Sequence, residues 1–407
     1  MSGNFKNLVV EKTALVLAFD TPSPVDYGGI YDVVSRAKVL RERGYAVDYV
    51  GVTVDSQRLR SWKGNAVGRS DGPFRRTYVL PGKGAMRFLL ALRPTSALRR
   101  RVPIPAELRA HLAAQRYSVI LIDHIKMIPF AQQILPELGC DVRLRMHNDE
   151  VQYYASLAQR ERNLLRAGAL WLESVKYARY QRRVLRSKML SRIYYISRQD
   201  EERLSRADVR PGVVLPVVAN VEGVANGDKQ LVEREIDFIY VGNLDLEENL
   251  KGAKSALQFL VSSGIPVRIA LICGRCKAGA RQAEVLKELQ AFPFCNVKFN
   301  VAHRELAELY KRSKFFLNFS TGIGGVKTKL IDALAQGVVV ITNELGVRGS
   351  GLEDACIVAS ATSVPQISVA LTIDAEYEQL RRKSIAALSR YTAYVHSVYE
   401  HEFGADS

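Results

Sequence analysis

FFLNFSTGIGGVKTKLIDALAQGVVVIT, residues 315–342, reads as a buried strand, a glycine-rich turn, an amphipathic helix and a second buried strand. Short, nearly continuous apolar runs broken by a helical pattern mark strands of a parallel sheet covered on both faces. Gly322, Gly324 and Gly325 allow a sharp turn and a close backbone approach to a ligand, and the helix expected to begin near Val326 aims free N–H groups into that turn. Lys327 and Lys329 fall in its first turn, so the segment suits a phosphate. Neither familiar phosphate motif fits: a dinucleotide fingerprint needs glycine where Lys327 stands, and a P-loop needs glycines at Thr321 and Val326. A turn that merely joins strand to helix is the alternative, and the paired lysines weigh against it.

The same alternation extends in both directions. Residues 237–241, 267–273, 296–301, 314–319, 337–342 and 356–359 read as strands with helical stretches between most of them. Upstream, 13–20 and 47–54 flank a helical pattern over 31–43, and 118–123, 142–147 and 191–197 are further strand candidates. A chain of 407 residues exceeds what one hydrophobic core holds, and the turn-rich run LPVVANVEGVANGDKQ (215–230) separates the two series. The expectation is an α/β protein with two doubly wound, Rossmann-like domains: 1–215, a linker over 216–234, 235–374, and C-terminal helices over 375–407 that pack back toward the first domain.

Charge divides at the same place. Residues 1–215 hold 37 Lys+Arg against 20 Asp+Glu, whereas 216–407 hold 21 against 22, so the net +16 resides in the first half. A polyanionic partner is expected there, either an acidic membrane surface or nucleic acid. The excess concentrates in residues 58–116, where MRFLLALRPTSALRRRV (86–102) interleaves leucines with arginines, and again over 160–192 on a long helical pattern. The first stretch suits an amphipathic segment on anionic lipid or a solvated basic loop; the second reads as an exposed helix face. No run approaches the roughly 20 apolar residues of a membrane span, and Lys6, Glu11 and Lys12 interrupt the first residues, so neither a signal peptide nor a transmembrane segment is expected. Five scattered cysteines make no disulfide framework, which points to the cytoplasm.

GIGGVKTKLIDALAQGVVVITNELGVRG (322–349) resembles the donor-site signature of GT-B glycosyltransferases of the large retaining family 4 type, particularly the bacterial polysaccharide and capsule branch. FIYVGNLDLEENLKGAKSAL (238–257) and IALICG (269–274) are similar to that family's first C-domain strand with its phosphate loop and to its second strand. MHNDEVQYY (146–154) and TPSPVDYGGIYDVVSRAKVLRERGYAV (21–47) resemble N-domain segments, so the likeness spans nearly the whole chain. It implies a GT-B architecture, two such domains facing a central cleft. It further implies that Lys329 and Lys251 neutralise a donor diphosphate with the amides of Gly324 and Gly325, and that Asp332 grips the ribose. Gly242, Asn243, Gly274 and Lys327 would line the donor site. His147 would face the transferred sugar, Gly28 and Gly29 would open the cleft floor for the diphosphate or the acceptor, and Asn148 and Glu150 would line the acceptor side. Independently of the resemblance, His124 follows the strand 118–123, where ligands gather in open sheets; a structural histidine is the alternative. Three positions depart from the pattern: the first acid of the family's two-glutamate signature falls at Gly324, the second is Asp332, and the arginine expected after Gly242 is Asn243. The resemblance implies a retaining, metal-independent transferase of hexosyl or related groups, and the departures leave donor identity and anomeric outcome open.

Cys273 and Cys276 have metal-like spacing, but no second pair follows, so a coincidence at a strand end is the favoured reading. Asp20, Asp26, Asp123 and Glu150 are acids near strand ends or the first glycine loop, and one sequence does not choose a base among them. The expected activity is sugar transfer from a nucleotide diphosphate donor, with no cofactor and no metal, to a lipid-linked or other glycan acceptor in capsule, exopolysaccharide or lipopolysaccharide synthesis. The protein would sit peripherally on the inner face of the cell membrane and bind no nucleic acid. The rival expectations are a sugar-nucleotide epimerase of the same fold and a non-enzymatic basic module that binds membrane or nucleic acid.

Overall fold

The computed structural model describes residues 12–25, 27–63, 69–88, 91–161, 163–205, 212–219, 234–322 and 326–404. Gly324 and Gly325, the acid candidate Asp26, Leu89 and Leu90 of the basic stretch and most of the expected linker lie outside the described residues. The chain divides into two compact units, Met1–Val217 with Val398–Ser407, and Val218–Ser397. The final helix, Asp374–Phe403, is a single element whose last turn belongs to the first unit.

The first unit is built on an eight-stranded sheet: β1 (Lys12–Ala18), β2 (Tyr45–Thr53), β3 (Arg69–Asp71), β4 (Phe74–Pro81), β5 (Val119–Asp123), β6 (Asp141–Met146), β7 (Arg192–Tyr195) and β8 (Val213–Val214). Their order is β3-β4-β2-β1-β5-β6-β7-β8, parallel except for the β3–β4 pair. β1 is paired on both sides, Ala14 with Val47 and Val16 with Leu121. Its apolar side chains, with those of β5 and β6, pack under Met127 and Phe130. The C-terminal turn of the last helix locks onto this unit: Tyr194 donates to Glu402 Oε2 at 2.8 Å, and Arg143 donates to the Glu402 carbonyl at 2.7 Å.

The second unit holds a six-stranded, all-parallel sheet: β9 (Ile236–Asn243), β10 (Ala270–Arg275), β11 (Cys295–Phe299), β12 (Ser313–Asn318), β13 (Val339–Thr342) and β14 (Cys356–Val358). The order is β11-β10-β9-β12-β13-β14. Phe238 and Phe315 face each other across β9 and β12, their rings stacked at 5.5 Å. Leu257, Leu260 and Ile367 join the same core, each burial being worth about 1.5–3 kcal/mol. The helix following β9, Glu247–Ser262, lies so close to the end of β12 that a Cβ on Gly252 would stand 2.4 Å from the Phe319 carbonyl oxygen.

The expected amphipathic segment over 86–102 is partly absorbed into the core. It forms a short 3-10 turn (Met86–Phe88) and a short helix (Thr95–Leu98), with Ala97, Arg100 and Val102 buried and the Arg100 guanidinium over the Phe19 ring at 5.7 Å. Cys273 and Cys276 are both buried and unbridged. Among the described residues, no helix is long and apolar enough to cross a membrane.

The close approach at Gly252 generates a paired prediction. Gly252→Ala should destabilise the second unit by about 1–3 kcal/mol, because the obstructing atom belongs to the backbone. Gly168→Ala, on a helix with nothing within 4 Å of the new carbon, should stabilise by about 0.5–1 kcal/mol. Thermal melts of the two variants check both signs.

Candidate functional site

In open parallel sheets, ligands gather at strand C-termini where the winding reverses. In the second unit the reversal lies between β9 and β12, since β10 and β11 continue to one side and β13 and β14 to the other. β9 ends in Gly242–Asn243, and β12 runs directly into the glycine turn. The turn's start is clamped to the next loop: Ser320 N donates to Asn343 Oδ1 at 3.1 Å, and Asn343 Nδ2 donates back to the Ser320 carbonyl at 2.8 Å. The helix after the turn begins at Thr328 rather than Val326, with Lys327 at its N-cap and extended there.

Lys329 is the centre of this arrangement. Its ammonium lies 4.4 Å from the Tyr240 ring centroid and faces two neutral acceptors, Tyr240 Oη at 3.3 Å and the Val241 carbonyl at 3.4 Å. Burial, followed by repulsion from Lys327, depresses its pKa to about 7. A half-buried ammonium with neutral hydrogen-bond acceptors, and with Glu248 as its nearby anionic influence, can accept an anion at the sheet's switch point. Lys327 is 3.4 Å from Glu248 Oε1, and Glu248 packs against Gly322, where a Cβ would come within 2.2 Å of that carboxylate. Sequence reading missed Glu248 because an acid in a helix's first turn is ordinarily explained by the helix dipole.

The other expected donor residues are placed as follows. Lys251 is half exposed on its helix and stands 3.7 Å from Glu247. Asn243 accepts from the Asp245 amide at 3.1 Å, forming a local turn. Gly274 is required by packing, since a side chain would strike Leu244 at 2.2 Å. Gly242 brings its backbone close to Tyr240 and Asn249. Asp332 is half-buried on the helix after the glycine turn, near Tyr310, whose phenol is raised by burial and then by the Asp332 charge.

In the first unit the winding reverses between β1 and β5, and there the structure gathers a buried ionic cluster. Arg145 makes a two-pronged contact with Asp32, Nη2 to Oδ1 at 2.9 Å and Nε to Oδ2 at 3.0 Å. Arg36 bridges Asp32, at 3.0 Å, and Asp123. Burial alone would raise both carboxyls; Arg145 and Arg36 outweigh it at Asp32, and Arg36 with His147 outweigh it at Asp123, so both are held below the usual range. His147 Nε2 then reaches Asp123 Oδ1 at 3.1 Å. Asp32, Asp123 and His147 lie close enough together to hold a metal ion, but the two guanidinium groups already balance both carboxylates. Asp32, Arg36 and Arg145 were invisible to pattern reading, which assigns charged residues to solvent.

Beside this cluster sits a second one. His124 has φ 87°, a left-handed conformation that costs a non-glycine residue roughly 1–2 kcal/mol. Its Nδ1 accepts from the Lys126 amide at 3.2 Å, which leaves Nε2–H to face Glu150 Oε1 at 3.0 Å. Burial and then Lys126 push its pKa down to about 3, so the ring is neutral. Lys126, 2.9 Å away, overcomes burial and keeps the fully buried Glu150 ionised. The His124 and His147 rings stack at 5.6 Å, with Phe19 edge-on to both. Gly29 sits in tight packing, where a Cβ would stand 3.0 Å from the Tyr27 ring and 3.1 Å from Phe19. Gly28 opens the same helix, Gly28–Glu42, and Asn148 is half-buried next to His147. The acid Asp20 is taken up by Tyr27, at 2.9 Å, and Arg58, at 3.2 Å.

Comparison with solved structures decides the architecture. Over 97% of this chain and all of theirs, the coordinates of sucrose-phosphate synthase from Thermosynechococcus elongatus superpose with a TM-score of 0.65 at 17% identity. The fold is GT-B. The pneumococcal O-GlcNAc transferase GtfA, solved with UDP and GlcNAc, matches this GT-B chain at TM-score 0.59 and 11% identity, covering 97% of it and 99% of GtfA. Anabaena HepE, solved with UDP and glucose, matches at TM-score 0.59 and 13% identity, covering 96% and 98%. Among curated proteins, an uncharacterized 44.6 kDa protein in the cps region of Klebsiella pneumoniae is 23% identical over 346 residues, 83% of this chain and 84% of its own. No protein-family model matches the sequence.

Asp32→Asn tests the ionic cluster. It leaves two buried guanidinium groups sharing one carboxylate and should cost about 3–5 kcal/mol, read as a lowered denaturation midpoint; an unchanged midpoint would show that the cluster is not coupled to folding.

Proposed function

We propose that the chain is a glycosyltransferase that moves a sugar from a nucleotide diphosphate sugar to a lipid-linked glycan acceptor in bacterial surface-polysaccharide synthesis. The observation that carries the reading is the half-buried ammonium of Lys329, its pKa depressed, after a glycine turn at the β9–β12 switch point. As the bond from the sugar's anomeric carbon to the diphosphate breaks, negative charge gathers on the departing phosphate. Lys329 and the N-terminus of the helix Thr328–Ala335 stabilise that charge in a site poor in water, without a cofactor or a metal. Asp332 is assigned to the ribose, and Gly324 and Gly325 to amide contacts with the diphosphate.

His147 is assigned to the transferred sugar, and its orientation by Asp123 and Arg36 supports a fixed role. Two lines of support bear on the wider reading: UDP with GlcNAc or glucose in structures of the same fold, and the cps-region origin of the Klebsiella relative. Hexosyl or related transfer with retention is the chemistry we assign. The basic first half, +17 by count, is assigned to an anionic membrane surface on the cytoplasmic side, where a lipid-linked acceptor resides.

Lys329→Met supplies the test. Removing a half-buried ammonium in favour of an apolar chain of similar length should leave the melting temperature unchanged or higher. Turnover of a panel of UDP- and GDP-sugars with bacterial lipid extract as acceptor should fall roughly 10²- to 10³-fold in kcat. Wild-type turnover in this variant would remove the diphosphate assignment.

A further inference from the structure

The helix Leu164–Leu185 presents an unusual exposed face. At 100° per residue, Leu164, Leu165, Trp171, Leu172 and Val175 fall within an arc of about 120°, and Arg179, Arg182, Arg183 and the C-cap Arg186 continue along the same arc. All of these side chains are exposed, Leu164 and Leu165 by 86% and 87% and Trp171 by 60%. The opposite face, carrying Glu173, Tyr177, Tyr180 and Val184, is the one buried in the first unit. One surface stripe is therefore apolar over its first three turns and basic over the rest. The outer positions of the helix Gly28–Glu42 show ordinary behaviour by contrast, with Lys38, Arg41 and Glu42 facing water.

A second element extends the stripe's character. Glu173 accepts hydrogen bonds from the amides of Thr95 and Ser96 at 3.0 and 2.9 Å, which fastens the basic stretch to this helix. That stretch exposes Met86 by 82% and Leu92 by 90%, each followed directly by an arginine, Arg87 and Arg93.

We propose that this face inserts into an anionic lipid bilayer. Leu164, Leu165 and Trp171 enter the boundary between headgroups and acyl chains, and Arg179, Arg182 and Arg183 bind lipid phosphates. Tryptophan and leucine beside arginine is the composition that this boundary selects, and the arginines supply the charge complement to an anionic leaflet. A second copy of the chain fits the same face poorly. Antiparallel pairing of the helix would set the arginine half against the apolar half, and parallel pairing would set arginine against arginine. The inference rests on the membrane-facing part of the function proposed above and is independent of its sugar-transfer part.

The chain's two tryptophans make the test direct, because Trp62 is buried and Trp171 is exposed. In the full-length Trp62→Phe variant, emission reports on Trp171. Vesicles of phosphatidylglycerol and phosphatidylethanolamine should shift that emission to the blue, and lipids brominated in the acyl chain should quench it; phosphatidylcholine vesicles should do neither. The double change Leu164→Glu and Leu165→Glu should weaken binding to anionic vesicles at least about tenfold, with melting temperature and UDP affinity unchanged. Four results would overturn the proposal: no binding to anionic vesicles, binding that leaves Trp171 emission unshifted, a lipid-independent dimer that buries Trp171, or the same shift with duplex DNA. Calorimetry with UDP and GDP on the same sample reads the donor site separately, so bilayer insertion without binding of either nucleotide would sink the sugar-transfer reading and leave this one standing.

Discussion

A half-buried lysine ammonium at the C-terminal ends of β9 and β12 is the constraint on which the second unit's candidate site depends. Holding that charge away from water is unfavourable, and the acceptors it faces, a phenol oxygen and a backbone carbonyl, are neutral. The surrounding packing enforces the position. Gly252 lets a helix press onto the Phe319 carbonyl, Tyr240 is anchored through its hydroxyl to the Asn249 carbonyl at 2.8 Å, and Asn343 pins the start of the glycine turn. These contacts fix the ammonium's position before any ligand arrives.

The first unit solves the opposite problem. It buries Asp32, Asp123 and Glu150 completely and supplies each with a cation: Arg36 and Arg145 for the aspartates, Lys126 for the glutamate. Arrangements of this kind contribute less to net stability than to specificity of geometry. Their visible product is a pair of stacked, oriented imidazoles, His147 held by Asp123 and His124 held neutral against Glu150. One unit thus places a half-buried ammonium beside Lys327 and Glu248, and the other keeps its charges mutually satisfied around two histidines.

Most of the architecture was legible because parallel strands buried on both faces are spelled as apolar runs. All six strands of the second sheet were read, as were β1, β2, β5, β6 and β7 of the first. β4 was missed because Arg75 and Arg76 interrupt its apolar pattern, and β8 because two residues carry no periodicity. The site was legible in its backbone and less so in its charges. Lys329 was singled out from its place after the glycines, but its contacts with Tyr240 and the Val241 carbonyl were not readable. Lys251, weighed by resemblance, stands on a solvent face beside Glu247, and Asn243 serves its own turn. Asp32, Arg36 and Arg145 were unreadable because only three-dimensional pairing makes a buried charge tolerable. The exposed stripe on the helix Leu164–Leu185 was read as an ordinary charged face, since its leucines look like core until the fold turns them outward.

Proton linkage tests the central claim most directly. If a diphosphate settles against Lys329, the ammonium regains a counter-charge and its pKa must climb from about 7. Binding then draws in a proton wherever the free group is neutral and the bound group charged, a window that opens at pH 7 and extends upward; below it the lysine is charged in both states and takes up no proton on binding. Calorimetric titration of UDP and GDP at pH 8, in buffers of different ionisation enthalpy, should show uptake of up to about one proton for the preferred nucleotide. The Lys329→Met variant should show none. Binding without proton uptake, or uptake that survives that change, would contradict the account.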